Sequence, residues 1–348
     1  MKMYKYPSID QFRNLVKTIV LSNSYEGRDE NGNPIYNPLA IPPIVTINGT
    51  VKLHGSNASI VYDSEDNYYA QSRERVLSIE SDNAGFCVFS HRVKSFVEPI
   101  LKNILSDYES ALSVVIYGEW CGKGIQKSVG VSELDKMLVL FGIKVTYPDE
   151  TEGHRSEWID NDLLSRFVNE DLRIFNIYDF KTYSLEVDLS NAAMVQNKLI
   201  ELTEQVEKEC PVAKHFGIEN GLGEGIVWTA NFKGNIYRMK TKGEKHSVTK
   251  VKTLSAVDIE KLESVDKFVE YAVTENRLQQ GITYFKENNI ALDIKNTGQF
   301  VSWVAKDVIK EEIDTMAQNN ITTKEFGAKA SVKSRQFFIN YINSNIGL

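Results

Sequence analysis

Four short segments carry side chains whose types and spacing can do chemistry. Val51-Lys52-Leu53-His54-Gly55-Ser56-Asn57 follows one hydrophobic run and precedes another. A lysine at the end of a strand, followed by glycine and small polar residues, can hold its amine in a pocket walled by backbone, which suits a lysine nucleophile. Taken alone, the segment is also what a surface lysine beside a glycine turn looks like. In Ile116-Tyr117-Gly118-Glu119-Trp120-Cys121-Gly122-Lys123-Gly124-Ile125-Gln126 a carboxylate ends an apolar run before a glycine-rich turn. Gly221-Leu222-Gly223-Glu224-Gly225-Ile226-Val227 sets one carboxylate among glycines at the start of another run. In Tyr237-Arg238-Met239-Lys240-Thr241-Lys242 two lysines recur at period two, so a strand presents both on one face. A lysine nucleophile, two isolated carboxylates and a same-face lysine pair form a set.

The elements that must position this set are legible as hydrophobic patterns. Ile44–Val51, Ala58–Tyr62, Tyr68–Gln71, Ser113–Gly118 and Met137–Val145 are β-branched and aromatic runs and read as strands. Phe86, Phe89, Val93, Phe96, Val97, Ile100, Leu101 and Ile104 recur near a 3.6-residue spacing, which predicts a helix that Pro99 is expected to kink or divide. Ser22–Pro43 is rich in Asn, Gly and Pro and reads as a long surface loop. Residues 190–209 read as an acidic helix, followed by strands at Gly225–Ala230 and Asn235–Lys240. From Val257 onward there is no proline, and Leu262, Val265, Phe268, Tyr271, Phe300, Trp303, Val304, Val308, Ile309 and Ile313 fall at helical spacing. Strands separated by long excursions imply an α+β domain over residues 1–250, and the helical pattern a small all-helical domain over 251–348.

Composition bounds what this set can serve. The chain has 348 residues, 42% hydrophobic and 25% charged, which is ordinary globular composition and excludes a disordered or collagenous protein. Lys+Arg 40 against Asp+Glu 47 gives −7, so no basic field covers the surface and any nucleic-acid contact must be local. The charge is uneven. Residues 146–210 hold 15 acidic and 6 basic side chains, whereas residues 231–252 hold seven basic residues and one acid. Cys87, Cys121 and Cys210 are widely spaced without a CxxC pair, against both a disulfide framework and a structural zinc site. No apolar run approaches the ~20 residues that span a bilayer, and the N-terminus lacks the apolar core of a signal peptide. A soluble, unprocessed, cytoplasmic protein without membrane contact is expected.

In this order the four segments resemble the motifs of covalent nucleotidyltransferases, the ligases and capping enzymes, with their KxDG or KxHG lysine, strand-borne Glu before a Gly turn, EG motif and closing KxK. His54 at the third position, with Gly118-Glu119-Trp120 and Gly124-Ile125-Gln126-Lys127, is similar to the ATP-dependent RNA ligases of the phage type 2, double-strand-sealing class. The likeness extends from Tyr4-Lys5-Tyr6-Pro7-Ser8 to the helical C-terminal part. It implies a nucleotidyltransferase domain of antiparallel sheets with flanking helices. It also implies that Lys52 forms the lysyl-AMP bond, that Leu53, His54, Gly55 and Asn57 lie near the nucleotide phosphate and the RNA end, and that Arg73 contacts the ribose and that end. Glu119 is implied to bind ribose or support the metal, Phe141 to stack on adenine, Glu224 to be the metal-linked carboxylate, and Lys240 and Lys242 to engage the phosphates. ATP and Mg²⁺, or Mn²⁺ in its place, are the implied cofactors, RNA ends the partner, and a monomer the expected state, in a host cytoplasm were the source viral. Two departures stand out: Val51 holds a place often taken by Glu, and Gly142 one often taken by Asp.

That chemistry accounts for the residue types. An amine attacks phosphorus only when deprotonated, and an exposed lysine is almost wholly protonated at neutral pH, so burial and neighbouring cations must favour the neutral form. Departing pyrophosphate gathers negative charge that Mg²⁺ and ammonium groups offset. Isolated carboxylates suit Mg²⁺, which keeps most of its waters. The leading reading is sealing of 3′-OH and 5′-phosphate RNA ends at duplex nicks. A single-strand or tRNA-repair ligase is the nearest alternative, and a non-catalytic RNA-end binder retaining the fold is a different one. Outside the set, His91, His154, His215 and His246 share no ligand spacing, Cys121 reads as a packing residue, Arg75 as a surface charge, and Glu201–Glu209 as a solvated face.

Overall fold

The computed structural model describes residues 1–149, 153–243 and 265–345. In chain order the elements are α1 (Phe12–Ser24), β1 (Tyr25–Arg28), β2 (Pro34–Tyr36), β3 (Ile44–Lys52), β4 (Ser56–Asp63), β5 (Tyr68–Ser72), α2 (Phe86–Ser106), β6 (Ser113–Cys121), β7 (Met137–Asp149), β8 (Gly153–Trp158), β9 (Ile174–Asn176), β10 (Thr182–Asp188), α3 (Gln196–Lys208), α4 (Pro211–His215), β11 (Gly225–Phe232), β12 (Asn235–Lys242), α5 (Val265–Ala272), α6 (Glu275–Glu287), α7 (Thr297–Gln318) and α8 (Thr323–Asn345), with short 3-10 turns between some of them. Helices and largely antiparallel sheets are mixed, as the alternation of patterns predicts. Two compact units are each assembled from three segments. The first takes Met1–Pro7, Thr50–Thr182 and Lys208–Glu224, and the second Ser8–Gly49, Tyr183–Glu207 and Gly225–Leu348. The boundary expected near residue 250 lies outside the described residues.

In the first unit the strands order as β5-β4-β6-β7-β8, with β9 added in parallel to β7. α2 covers one face, where Phe86, Val93, Val97 and Leu101 pack against Ile60, Ile116, Leu138, Leu140, Ile143 and Val145. Leu138 and Leu140 share that face with Ile143 and Val145 although their parity differs. The register shift between Tyr117 and Gly118 makes this possible, because Tyr117 opposes Gly142 and Gly118 opposes Leu140, which leaves Phe141 as an extra, unopposed residue. The Phe141 ring accordingly lies outside the α2 core and meets Tyr6 edge-on at 5.0 Å. Tyr6 also contacts Tyr117 and Trp158, and the buried Lys144 places its amine 5.4 Å from the Tyr117 ring.

The second unit contains the sheet β10-β3-β11-β12 and the helices α5–α8. β11 and β12 form a hairpin in register from Gly225↔Lys242 to Phe232↔Asn235. α3 docks on this hairpin through a buried hydroxyl pair, Thr203 to Thr241 at 2.7 Å, and the Trp228 indole also donates to Thr241. Leu199, Thr203 and Val206 are buried and Glu201 and Glu204 are exposed, but the solvated-face reading holds only in part, since Glu207 is half-buried with its carboxyl against Gly243. The C-terminal helices enclose their own aromatic core, in which Phe300 stacks on Phe338 at 4.5 Å and both meet Phe285.

Three expectations need correction. Ser22–Pro43 is not one long loop: α1 runs to Ser24, and β1 and β2 form an exposed hairpin. Asp29 makes the turn between them, since its carboxylate accepts from the backbone of Asn31 and Asn33, and Gly32 supplies a φ of +82°. Pro99 does not divide α2, which runs unbroken for 21 residues. Pro99 is exposed, so the carbonyl that loses its N–H partner can turn to water instead. Arg75 is not a loose surface charge: its guanidinium holds the loop after β5 by donating to Ser81 Oγ at 2.8 Å and Asp82 O at 3.0 Å.

Candidate active site

Lys52 is the last residue of β3, and the turn that follows is anchored by buried Leu53. Gly55 then passes so close to β6 that a Cβ would strike the Trp120 carbonyl oxygen and lie 2.9 Å from Cys121 Cβ and 3.0 Å from Glu119 Cγ. Only glycine fits that approach. Two side chains hold its backbone: Gly55 N–H donates to Glu119 Oε1 at 2.9 Å, and Gln126 Nε2 donates to Gly55 O at 3.3 Å. Glu119 is carried by β6, opposite Asn57 on β4 and Val139 on β7. Gly118 beside it is also obligatory, because a Cβ there would meet Leu138 Cδ1 and Val139 O at 2.8 Å.

Glu224 closes the group. Its side chain is 2% exposed, and it accepts from Lys52 Nζ at 2.6 Å and lies 3.3 Å from His54 Nδ1. A carboxylate so far from water needs a cationic partner, and Lys52 supplies the charge. Lys52, His54, Gly55, Glu119 and Glu224, separated by up to 172 positions, are thus joined by direct hydrogen bonds and ion pairs. Glu119 and Glu224 both touch the short Lys52–Gly55 turn, and among the described residues no group of three or more His, Cys, Asp or Glu gathers as a metal cage.

The remaining predicted residues of this unit lie on neighbouring elements. Arg73 follows β5, with Nε 3.8 Å from Glu74, and Glu74 also accepts from Lys5 at 2.6 Å. Phe141 occupies the β7 bulge. Cys121 is fully buried, and burial together with the Glu119 charge pushes its thiol pKa well up, so it is a packing residue rather than a nucleophile.

Lys240 and Lys242 belong to the second unit. They alternate along β12 with buried Met239 and Thr241 and share the other face, as period two requires. β12 is fixed on one side by β11 and on the other by Asp10, which takes the Lys240 N–H on its carbonyl at 2.9 Å. Lys240 Nζ donates to Glu311 Oε1 on α7 at 2.9 Å. Burial alone would raise the Glu311 pKa, but the charges of Lys240 and Arg277 outweigh it and hold the carboxyl down at about 2. Neither Glu311 nor Arg277 stands out in the sequence, because nothing local marks which acid on a C-terminal helix meets a strand 71 positions away. Gln126 was legible only as part of the Gly-Ile-Gln run.

A family model described as RNA ligase matches residues 46–252. No curated protein sequence matches the chain. Among solved structures, a mutant of the Naegleria gruberi RNA ligase with AMP and Mn is similar at a TM-score of 0.43 and 14% identity, over 70% of this chain and 56% of that one. The same enzyme with PPi gives 0.42 at 13% identity over 70% and 56%, and a mutant with ATP and Mn gives 0.42 at 13% over 69% and 57%. This chain therefore spans little more than half the length of those structures.

Proposed function

The chain belongs to the RNA ligase family, and on that premise we propose that it is an ATP-dependent enzyme of the covalent nucleotidyltransferase kind, joining 3′-OH and 5′-phosphate RNA ends at nicks in duplex RNA. The observation that carries this reading is the meeting of Lys52 with Glu224 at 2.6 Å beside a turn whose Gly55 is held by Glu119. A lone structural lysine has no need of a buried carboxylate drawn from 172 positions away.

In the first step Lys52 Nζ attacks the α-phosphorus of ATP, a P–N bond forms, and the P–O bond to pyrophosphate breaks. The ammonium gives up one proton before attack and a second as the P–N bond forms, with the Glu224 carboxylate that accepts its hydrogen bond as the first acceptor and solvent as the final one. Mg²⁺ held by Glu119 and Glu224 would offset the carboxylate charge and polarise phosphate oxygens. Glu119 keeps the turn that bears Lys52 in place through Gly55. Phe141, freed from the strand ladder by the bulge, offers an aromatic face for adenine. Lys240 and Lys242 supply ammonium charge to the phosphates, and Arg73, His54 and Asn57 serve the ribose and the RNA end. The adenylyl group then passes to an RNA 5′-phosphate, and a 3′-hydroxyl displaces AMP to form the phosphodiester. The adenylyltransferase part is assigned to residues 1–250, and the helices of 251–348 to presenting the RNA.

Incubation with labelled ATP and Mg²⁺ should give a covalent AMP adduct that Lys52→Ala abolishes. An adduct that survives in the variant removes Lys52 as the nucleophile, and a wild-type protein that releases no pyrophosphate at neutral to mildly alkaline pH is an RNA-end binder instead. Matched nicked duplexes of RNA, hybrid and DNA, set beside single strands, test the duplex preference: faster sealing of single strands would overturn it.

A further inference from the structure

Beyond the four motifs, the second unit contains a charged cluster with no part in the packing of the aromatic core. Glu311 divides its two oxygens between two cations, Oε1 to Lys240 Nζ at 2.9 Å and Oε2 to Arg277 NH2 at 3.0 Å. Arg277 sits on the first turn of α6, its side chain is 0% exposed, and its NH1 lies 3.4 Å from Asp307, one helical turn before Glu311. A guanidinium wholly removed from water beside two acids is a costly arrangement that hydrophobic residues could replace without loss of stability. Its rigid fork, however, fixes the carboxylate it meets.

The backbone is shaped to the same end. α7 departs from helical geometry at Glu312, where φ is −121° and ψ 16°. Arg13 of α1 enters that break, donating to the Glu311 carbonyl oxygen, to Glu312 Oε2 at 3.2 Å and to Thr315 Oγ1 at 2.9 Å. A side chain inserted in the helical ladder is a known cause of such a kink. The result is two consecutive acids with separate duties. Glu312 is tied to Arg13, Gln11, Tyr271 and Thr315, while Glu311 reaches the lysine of β12.

We infer that Glu311, oriented by buried Arg277, is a positioning residue that fixes the Lys240 ammonium for phosphate binding. A lysine has four rotatable side-chain bonds, so an ionic tether to a carboxylate that is itself held by a guanidinium restricts where its ammonium can sit. Because Lys240 is assigned to the phosphates only by the ligase reading, the inference rests on that reading.

The test is equilibrium binding of ATP with Mg²⁺ to the full chain in a Lys52→Ala background, where no adduct forms. Glu311→Ala is expected to weaken ATP binding about tenfold, and Glu311→Asp less, on the scale that misplacement of a binding group produces. In a Lys240→Ala background the same Glu311→Ala change should alter affinity less than twofold, since there is no ammonium left to position. A purely structural role gives the same factor in both backgrounds and overturns the inference, as does tighter ATP binding in Glu311→Ala, which would make Glu311 a competitor of the phosphates. Glu312→Gln serves as the control for damage to the α7 kink: it is expected to lower the melting temperature without changing ATP affinity. Failure of the ligase reading is seen separately, as a wild-type protein that forms no AMP adduct.

Discussion

Gly55 shows how much of the site depends on an atom that is missing. The polypeptide passes β6 with its N–H on Glu119 and its carbonyl on Gln126, and both bonds require an approach that a Cβ would forbid. Gly55→Ala would push the turn from the Trp120 carbonyl, cost about 1–3 kcal/mol in overpacking, and move Lys52 with it. If Lys52 is the nucleophile proposed above, AMP-adduct formation should fall on the order of 10²-fold, the effect of displacing a reacting group by about an ångström. Labelled-ATP adduct rates and a melting curve on the same sample check both parts, and a variant that melts lower but reacts at the normal rate would detach Gly55 from the chemistry. Lys52, Glu119 and Glu224 can be picked out because glycines and apolar runs frame them. Their mutual contacts cannot, since Lys52 and Glu224 meet across 172 positions.

Strands and helices were legible where hydrophobic period and tertiary burial agree. All five β-branched runs before residue 150 are strands, because each has residues to bury: Val45, Ile47 and Val51 on β3, and residues of β4 to β7 such as Ile60, Ala70, Ile116 and Leu138 in the α2 core. The β1–β2 hairpin was missed because its residues are almost all exposed, and a polar turn closed by Asp29 leaves no hydrophobic alternation to read. The kink in α7 was invisible for another reason: its cause, Arg13, lies 299 positions away from Glu312. The Glu311 cluster also yields a stability prediction. The folded carboxyl sits at about 2, below the roughly 4.3 of an unfolded glutamate, so folding gains from its ionised form above that unfolded value. Glu311→Gln should therefore lower stability at pH 7 by on the order of 3 kcal/mol, since Lys240 and buried Arg277 lose the carboxylate they share and only Asp307 stays beside Arg277. The difference between wild type and variant should hold down to about pH 5 and shrink as pH falls from about 4.3 toward the folded value. Asp307 moves oppositely, its pKa raised by burial against the pull of Arg277. It gains from protonation in that acid range, so the comparison must be made between variants rather than on wild type alone. Urea unfolding across about pH 2 to 7 measures it, and a difference that stays constant from about pH 5 down to about pH 2 would contradict the ionic account.

For the molecule as a whole, net charge is a poor index of what it can bind. The total of −7 is dominated by residues 146–210, with 15 acids against 6 bases, whereas residues 231–252 carry seven bases and one acid. Of those seven, Lys233, Arg238, Lys240 and Lys242 are on or beside β12, while Lys245, Lys250 and Lys252 lie outside the described residues. Lys233 is turned to the carbonyls of Ser22 and Asn23, and Lys240 is tethered by Glu311, so the basic run is not a uniform field. Phosphate binding by such a run releases counterions one by one, and the logarithm of affinity should fall linearly with the logarithm of salt, by about 0.9 for each phosphate neutralised. If about six charges act, duplex RNA affinity should drop roughly 10³-fold between about 50 and 200 mM salt, despite the acidic total. Replacing Lys240 and Lys242 together by Ala should lower that slope by about 2. Filter binding of a nicked duplex RNA at four salt concentrations is sufficient. An affinity indifferent to salt would place the RNA track elsewhere on the protein, and an unchanged slope in the double variant would mean that these two lysines meet ATP but never the RNA backbone.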